Sequence, residues 1–386
     1  MTIDPFSLPE ELEIFRKTVR AICEDRLAPR AAEIDAADEF PHDIHDVFVQ
    51  NDLMAVGYPE EHGGAGASSL SFAVMVEEIS RVSASSSLIP LVTRLGGIPV
   101  MLGGSKEQKD QLFGGIARGE HLMSYALTEP GAGSDAAAMK TRYEKSEDGF
   151  RVSGTKRFIT GAGVSDRYTV FAQGDPSKRS RGISAFVVHA DDPGFSVGKS
   201  EAKMGIRGSP TREVYLDDVS LSSDRLIGEE GAGFTYAMRT LDYSRPSIAA
   251  QALGIAQGAF EIAARYATER EQFGEPISKL QGIQFILADM AMQVEAARLL
   301  VYKSAAACDA QDPKLTYFAS IAKAHASDTA MQVTTDAVQV LGGYGYMAEY
   351  GVERMMRDAK ITQIYEGTNQ IQRVVIARQI LKALEA

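Results

Sequence analysis

A run of short β-rich segments set between two long helical stretches limits the folds open to this chain. Between about Glu120 and Gly231, the runs Tyr168-Thr169-Val170-Phe171-Ala172, Ile183-Ser184-Ala185-Phe186-Val187-Val188 and Glu213-Val214-Tyr215-Leu216 are rich in β-branched and aromatic residues. Asp148-Gly149, Gly174-Asp175-Pro176 and Asp192-Pro193-Gly194 punctuate them. Short strands between turn residues predict a small β domain. Before it, Leu8 to Gly119 reads as helices with Gly and Pro breaks. Pro9-Glu10-Glu11 suits a helix start, and Gly63-Gly64-Ala65-Gly66 a loop between helices. From about Ala232 the helical period returns. Ile286, Met290, Val294, Ala297 and Val301 step by three or four along one apolar stripe. This Ala-rich zone can bundle. The pattern predicts an α+β chain that is mostly α.

A length of 386 residues allows two or three domains. The formal net charge is −12, and a sequence-independent hold on nucleic acid needs a basic face. Cys23 and Cys308 are the only cysteines, too few for a disulfide framework or a thiolate metal site. Met1 to Phe15 has acidic residues and no basic ones, unlike a signal or transit peptide. Ala383-Leu384-Glu385-Ala386 is not a peroxisomal address. No apolar run reaches the roughly 18 residues of a membrane span. These features predict a soluble, intracellular protein, cytoplasmic or a mature mitochondrial matrix form, with no membrane or nucleic-acid partner.

Ile364-Tyr365-Glu366-Gly367-Thr368-Asn369-Gln370 holds one carboxylate between an aromatic residue and a glycine, with Ile361, Ile371 and Val374 on either side. An apolar wall solvates a charged carboxylate poorly, so the pKa of Glu366 should rise and make it a better base near neutral pH. Gly367 allows φ > 0 or a close backbone approach. The alternative is a turn Glu before a helix starting near Thr368. A second stretch, Tyr125-Ala126-Leu127-Thr128-Glu129-Pro130-Gly131-Ala132-Gly133-Ser134-Asp135, is a Gly-rich loop after a short apolar run. Its G-x-G-x-x-A spacing lacks the buried strand and helix of a dinucleotide fingerprint. His42 and His45 lie one helical turn apart, but no third ligand cluster accompanies them, so no metal is expected. No G-x-S-x-G elbow is present.

These two stretches, with Phe158-Ile159-Thr160, Arg270-Glu271-Gln272-Phe273-Gly274, Gln339-Val340-Leu341-Gly342-Gly343 and Asp358-Ala359-Lys360-Ile361, resemble the acyl-CoA dehydrogenase family of flavoproteins. The motifs occur in the family's order over nearly the whole chain. The resemblance implies an N-terminal helical domain over 1–120, a middle β-barrel or sandwich domain over 121–235 and a C-terminal four-helix bundle over 236–386. It implies FAD, α,β-dehydrogenation of an acyl-CoA thioester to the trans-2-enoyl product, and electrons passed to an electron-transferring flavoprotein.

Glu366 then becomes the base that takes the α-proton, while the β-hydride goes to the flavin. The thioester oxygen would lie against the base's own backbone N–H and a flavin hydroxyl. Tyr125, Leu127, Thr128, Gly133, Ser134, Phe158, Ile159 and Thr160 match the flavin-side positions. Phe158 stands where the family most often has Trp; it can stack but cannot donate an indole N–H. Arg270 matches an Arg that reaches the diphosphate of a flavin bound mainly to a neighbouring subunit, which implies a homotetramer. Gln272, Phe273, Gln281, Gln339, Gly342, Gly343, Thr368 and Gln370 match further cofactor positions. Ser134, Asp242, Arg245 and Gly367 match substrate positions. Without the resemblance, Asp242 and Arg245 would read as a surface pair. Some relatives carry the base just before this Arg; Ser244 there cannot serve. Two competing readings are an acyl-CoA oxidase and a helical scaffold without flavin.

Overall fold

The computed structural model of the protein describes residues 8–385, and the readings made at 1–7 and at Ala386 lie outside them. The N-terminal part comprises α1 (Glu10–Ile22), α2 (Ala31–Ala37), α3 (His42–Gln50), α4 (Ser69–Val82), α5 (Ala84–Gly103) and α6 (Lys106–Ala117). Pro9 stands at the N-cap of α1, with Glu10, Glu11 and Glu13 in the first turn where free N–H groups favour acids. Ser83 ends α4 and caps α5 by accepting from Ser86 N, so the two helices join at one residue.

Helix α5 corrects the expectation about apolar runs. Its 20 residues are long and apolar enough to cross a membrane by length and composition. In the fold, 72% of that apolar window is buried inside the protein. Ser, Thr, Gly, Pro and the single charge of Arg94 break the apolar run in the sequence without making the helix polar overall.

The middle part is a curled sheet of β1 (Met123–Ala126), β2 (Arg142–Ser146), β3 (Gly149–Thr160), β4 (Arg167–Gln173), β5 (Ile183–His189), β6 (Phe195–Val197) and β7 (Thr211–Ser222). Its order is β1-β4-β2-β3-β7-β6, with β5 paired antiparallel to β4. Alternate residues such as Val152, Tyr168, Val170, Phe186 and Val214 turn inward and form a core of their own. The register of β3 against β7 slips between Lys156 and Ile159. Phe158 sits in that bulge at φ 57°.

The C-terminal part is α7 (Gly233–Glu269), a short hairpin of β8 (Glu271–Gln272) and β9 (Glu275–Pro276), α8 (Gln281–Asp309), α9 (Leu315–Leu341), α10 (Val352–Thr362) and α11 (Asn369–Leu384). α7 packs on α8, α9 and α10, α11 packs on α9, and α4 crosses in to lie against α7. Met290, Val294, Ala297 and Val301 on the predicted stripe are buried. The approach of α4 to α7 is close because of two glycines. A Cβ at Gly254 would lie 2.2 Å from the Glu77 carbonyl oxygen, and one at Gly258 2.1 Å from that of Arg81.

Gly258→Ala therefore tests this contact. Ala favours the helix by about 1 kcal/mol, but overpacking against a backbone carbonyl cannot be relieved by a rotamer change and costs about 1–3 kcal/mol. The variant should unfold at lower urea with an unchanged slope. A midpoint equal to or above wild type would show that α4 and α7 can separate freely.

Candidate active site

Between the end of α10 at Thr362 and the start of α11 at Asn369 the chain reverses through Glu366 and Gly367, at φ 52° and 91°. Gly367 adopts that conformation without steric cost; a non-glycine residue such as Glu366 stores roughly 1–3 kcal/mol there. Three side chains hold the turn. Lys323 Nζ donates to the Gly367 carbonyl at 2.8 Å and to Asn369 Oδ1 at 3.0 Å. Gln372 Nε2 donates to the Glu366 and Gly367 carbonyls at 3.2 and 3.0 Å. Arg245 Nε donates to the Glu366 carbonyl at 3.3 Å. Thr368 caps α11 by accepting from Ile371 N.

The Glu366 carboxylate accepts a hydrogen bond from the Ser244 hydroxyl. The Tyr365 hydroxyl beside it donates to Gln251, which is fully buried. Burial pushes the Glu366 pKa up to about 7, against the pull of Ser244, Arg245, Lys323 and Arg94. Burial likewise pulls the Lys323 ammonium down to about 7, while Glu366 opposes that shift. Both groups thus titrate in the neutral range, and the cation favours the carboxylate form.

Asp242 and Arg245 are not a surface pair. Arg245 is buried, and its Nη1 donates to Asp242 Oδ1 at 3.0 Å. Asp242 Oδ2 accepts from Thr316 Oγ1 at 2.7 Å. Pro246 next to them lies inside α7. It offers no N–H to the carbonyl four residues back, which loosens the helix at the pair.

The loop after β1 and the end of β3 meet each other, and Tyr125 on β1 lies near this turn. The Tyr125 hydroxyl donates to the Ala237 carbonyl on α7 at 3.3 Å. Burial and then the charge of Glu366 raise its pKa well above the usual range. Leu127 is buried, and the Thr128 carbonyl accepts from Arg157 N at 2.8 Å. The Thr160 carbonyl accepts from Ser124 Oγ at 2.7 Å, and Ile159 is buried. A buried ion pair pins loop to strand: Lys156 Nζ lies 2.8 Å from Glu129 Oε1. Gly133 and Ser134 are exposed at the loop's tip, and the Phe158 ring is 60% exposed. Plain strand alternation would suffice for Thr160, which pairs with Thr211, but it breaks at the Phe158 bulge.

A third group lies apart. Arg270, Gln272, Gly342 and Gly343 line one hollow with Tyr266 and Tyr344. The Arg270 guanidinium stands 5.3 Å over the Tyr344 ring. A Cβ at Gly342 or Gly343 would meet nothing within 4 Å, so the hollow has room for a bulky group. These residues fit a nucleotide diphosphate: a planar cation, an amide and open glycine backbone. Phe273 is 93% exposed next to it. Gln281, Gln339 and Gln370 are exposed and do not line this hollow.

Among the described residues the one trio of potential metal donors is His189, Asp191 and Asp192. Asp192 is already engaged by Arg225 and by the His189 N–H. His42 and His45 are not part of it. Sequence reasoning missed Ser244 as the donor to Glu366, and also Lys323. The second had a readable signal: Ala319, Lys323, Ala326 and Ala330 share one buried face of α9, where a cation needs a reason.

Family profiles match along the chain: "Acyl-CoA dehydrogenase, N-terminal domain" over residues 9–120, the middle domain over 124–219 and the C-terminal domain over 231–381. A Mycobacterium leprae protein described as "Probable acyl-CoA dehydrogenase fadE25" is 52% identical over 379 residues, covering 98% of this chain and 97% of that one. The butyryl-CoA dehydrogenase structure from Megasphaera elsdenii superposes with a TM-score of 0.94 at 42% identity, covering 97% of this chain and 99% of that one. A chain in a structure titled for the electron transferring flavoprotein of Acidaminococcus fermentans gives 0.95 at 43% identity, covering 99% and 100%.

Lys323 carries its charge below about pH 7, the range in which Glu366 takes up its proton. Lys323→Met removes a cation that favours the carboxylate, so the Glu366 pKa rises. The acidic limb of the pH profile for substrate oxidation should move to higher pH. A limb that stays in place, in a folded variant, would show that Lys323 does not act on Glu366.

Proposed function

The chain belongs to the acyl-CoA dehydrogenase family of oxidoreductases, and on that premise we propose that Glu366 is the base of an FAD-dependent α,β-dehydrogenation of a CoA thioester. The observation that carries this is a carboxylate of raised pKa, set on a reversed turn against Ser244 and near enough to Tyr125 of β1 for its charge to raise that phenol's pKa. A base near neutral pH is ionised yet still basic enough to accept an α-proton. The Glu366 carboxylate takes that proton as the α C–H bond breaks. FAD, when bound, supplies the acceptor for the hydride that leaves the β-carbon, and the C=C bond of the trans-2-enoyl product forms between them. The Ser244 hydroxyl orients the carboxylate, and Arg245 and Lys323 hold the carbonyls of the turn. Fixing both faces of the turn keeps the Glu366 N–H directed at the substrate, where it can donate to the thioester oxygen.

Phe158, Thr160, Thr128 and the 131–135 loop are the groups we assign to the flavin ring side, and Arg270, Gln272, Gly342 and Gly343 to its diphosphate and adenosine side. Phe273, Phe285, Tyr346 and Met347 are large apolar side chains left exposed on the single chain. Exposed apolar side chains of this size support assembly with further copies, in keeping with the homotetramer implied by Arg270. The similarity to the Acidaminococcus fermentans chain supports an electron-transferring flavoprotein as the partner that receives the electrons.

Glu366→Gln tests the reading. Gln keeps the shape and the backbone N–H but has no basic lone pair for the α-proton. The variant should fold, stay yellow and bind acyl-CoA. Its flavin should be reduced at least about 10²–10⁴-fold more slowly on anaerobic mixing with butyryl-CoA or a longer acyl-CoA. Reduction within about tenfold of the wild-type rate would remove Glu366 from the role.

A further inference from the structure

The fold buries Arg81, Arg94 and Arg245. Arg81 pairs with Glu24, Glu78 and Glu261, and Arg245 with Asp242. Arg94 has no carboxylate partner among the described residues and is 7% exposed. Its Nη1 donates to the neutral Ser247 hydroxyl at 3.3 Å, and its guanidinium carbon lies 4.5 Å over the Phe72 ring. Its Nε–H, fully buried, has no acceptor, and neither has the buried hydroxyl of Tyr58. The two groups flank one face of α5: a Cβ at Gly97, one turn beyond Arg94, would lie 3.4 Å from the Tyr58 hydroxyl. Arg94 also borders a hollow shared with Gly57, Tyr58, Ala67, Ser69 and Met101. A cation held in a protein interior without a counter-charge costs several kcal/mol, so it normally has one.

Resting on the reading above, we propose that Arg94 and Tyr58 form a receptor for a carboxylate, and that its source is the far end of an acyl chain: the substrates are CoA thioesters of dicarboxylic acids. A guanidinium edge and a phenol O–H together make three donors for one carboxylate, the match Arg favours over Lys. The direction of approach selects the acyl source. Ser247, which accepts from Arg94, lies one turn along α7 from Ser244, which holds Glu366. Seen from solvent, the hollow is rimmed by Glu60, Glu61 and Asp309. Asp309 is turned away onto Ser69 N and Leu70 N at 2.7 and 3.2 Å. That acidic rim repels a free anion, whereas a chain threaded from the Glu366 side avoids it.

The test compares thioesters of equal length in the flavin-loaded enzyme: glutaryl-CoA against pentanoyl-CoA, and adipyl-CoA against hexanoyl-CoA. Wild type should favour one carboxylated member by at least about tenfold in kcat/KM, the smallest discrimination expected of a charge-assisted hydrogen bond. In Arg94→Met the ratio within that pair should collapse towards one or invert, and Arg94→Lys should recover part of it. Free glutarate, followed by thermal shift, separates the other source. If glutarate stabilises wild type but not Arg94→Met while the paired ratios are near one, the acyl source is overturned. If neither the ratios nor glutarate responds in wild type, the carboxylate receptor is overturned, even should the variants fail to fold. Flavin reduction by pentanoyl-CoA or hexanoyl-CoA in the same experiment keeps the dehydrogenase reading separate from this outcome.

Discussion

The hydrogen bond from the buried Lys323 ammonium to the Gly367 carbonyl holds the candidate base where the rest of the site can use it. A reversed turn with Glu366 at positive φ is strained and would relax if left to itself. Lys323 stands on α9, Arg245 on α7 and Gln372 on α11, so three separate helices restrain two carbonyls. The long helices of the C-terminal part therefore do more than fill a core. Their packing sets the position of one backbone reversal to within hydrogen-bond tolerance, as preorganised stabilisation requires.

The turn must also keep a fixed relation to the sheet that carries Phe158 and Thr160. The segment before β7 provides it. The Ile206 N–H donates to the buried carboxylate of Asp358 on α10, and Arg357 reaches both Asp35 and the Met204 carbonyl. Ile206 itself is a β-branched residue at φ 46°, a conformation that persists only where surroundings over-determine it. Gly205 has no room for a side chain, since a Cβ would lie 2.6 Å from the Arg357 carbonyl. α10 leads straight into the turn, so these contacts couple the β part to the base through one short helix.

Much of this was legible in the sequence, and the rest was hidden for identifiable reasons. The strands at Tyr168–Ala172, Ile183–Val188 and Glu213–Leu216 follow from side-chain chemistry, and the α8 stripe follows from helical period. The raised pKa of Glu366 was legible because a lone Glu beside Gly367 in an apolar stretch is uncommon chemistry. The bulge at Phe158 was not, because alternation predicts an ordinary strand and the register slip depends on the β7 partner. Burial of Arg245, with Asp242 half-buried beside it, was hidden for a similar reason: an i,i+3 acid–base pair on a helix looks solvated until α9 covers it. Arg94 is a clearer case. Its helix reads as apolar, and only the packed structure shows that the one charge on it has no carboxylate partner among the described residues.

The raised pKa of Glu366 sets activity and stability against each other. In the unfolded chain a Glu titrates near its ordinary value, about 4.3; in the fold burial raises it to about 7. The folded state thus binds this proton more tightly than the unfolded one. Its contribution to stability is fully present below the unfolded value and is lost as pH rises through about 7. Asp358, raised by burial to about 6, acts in the same direction over a lower range. The ionised base is therefore the less stable protonation state of the fold. Lys323 and Arg245 lessen that penalty with nearby positive charge. They cannot abolish it without returning the pKa to that of an ordinary Glu, which would be too weak a base to take the α-proton efficiently near neutral pH.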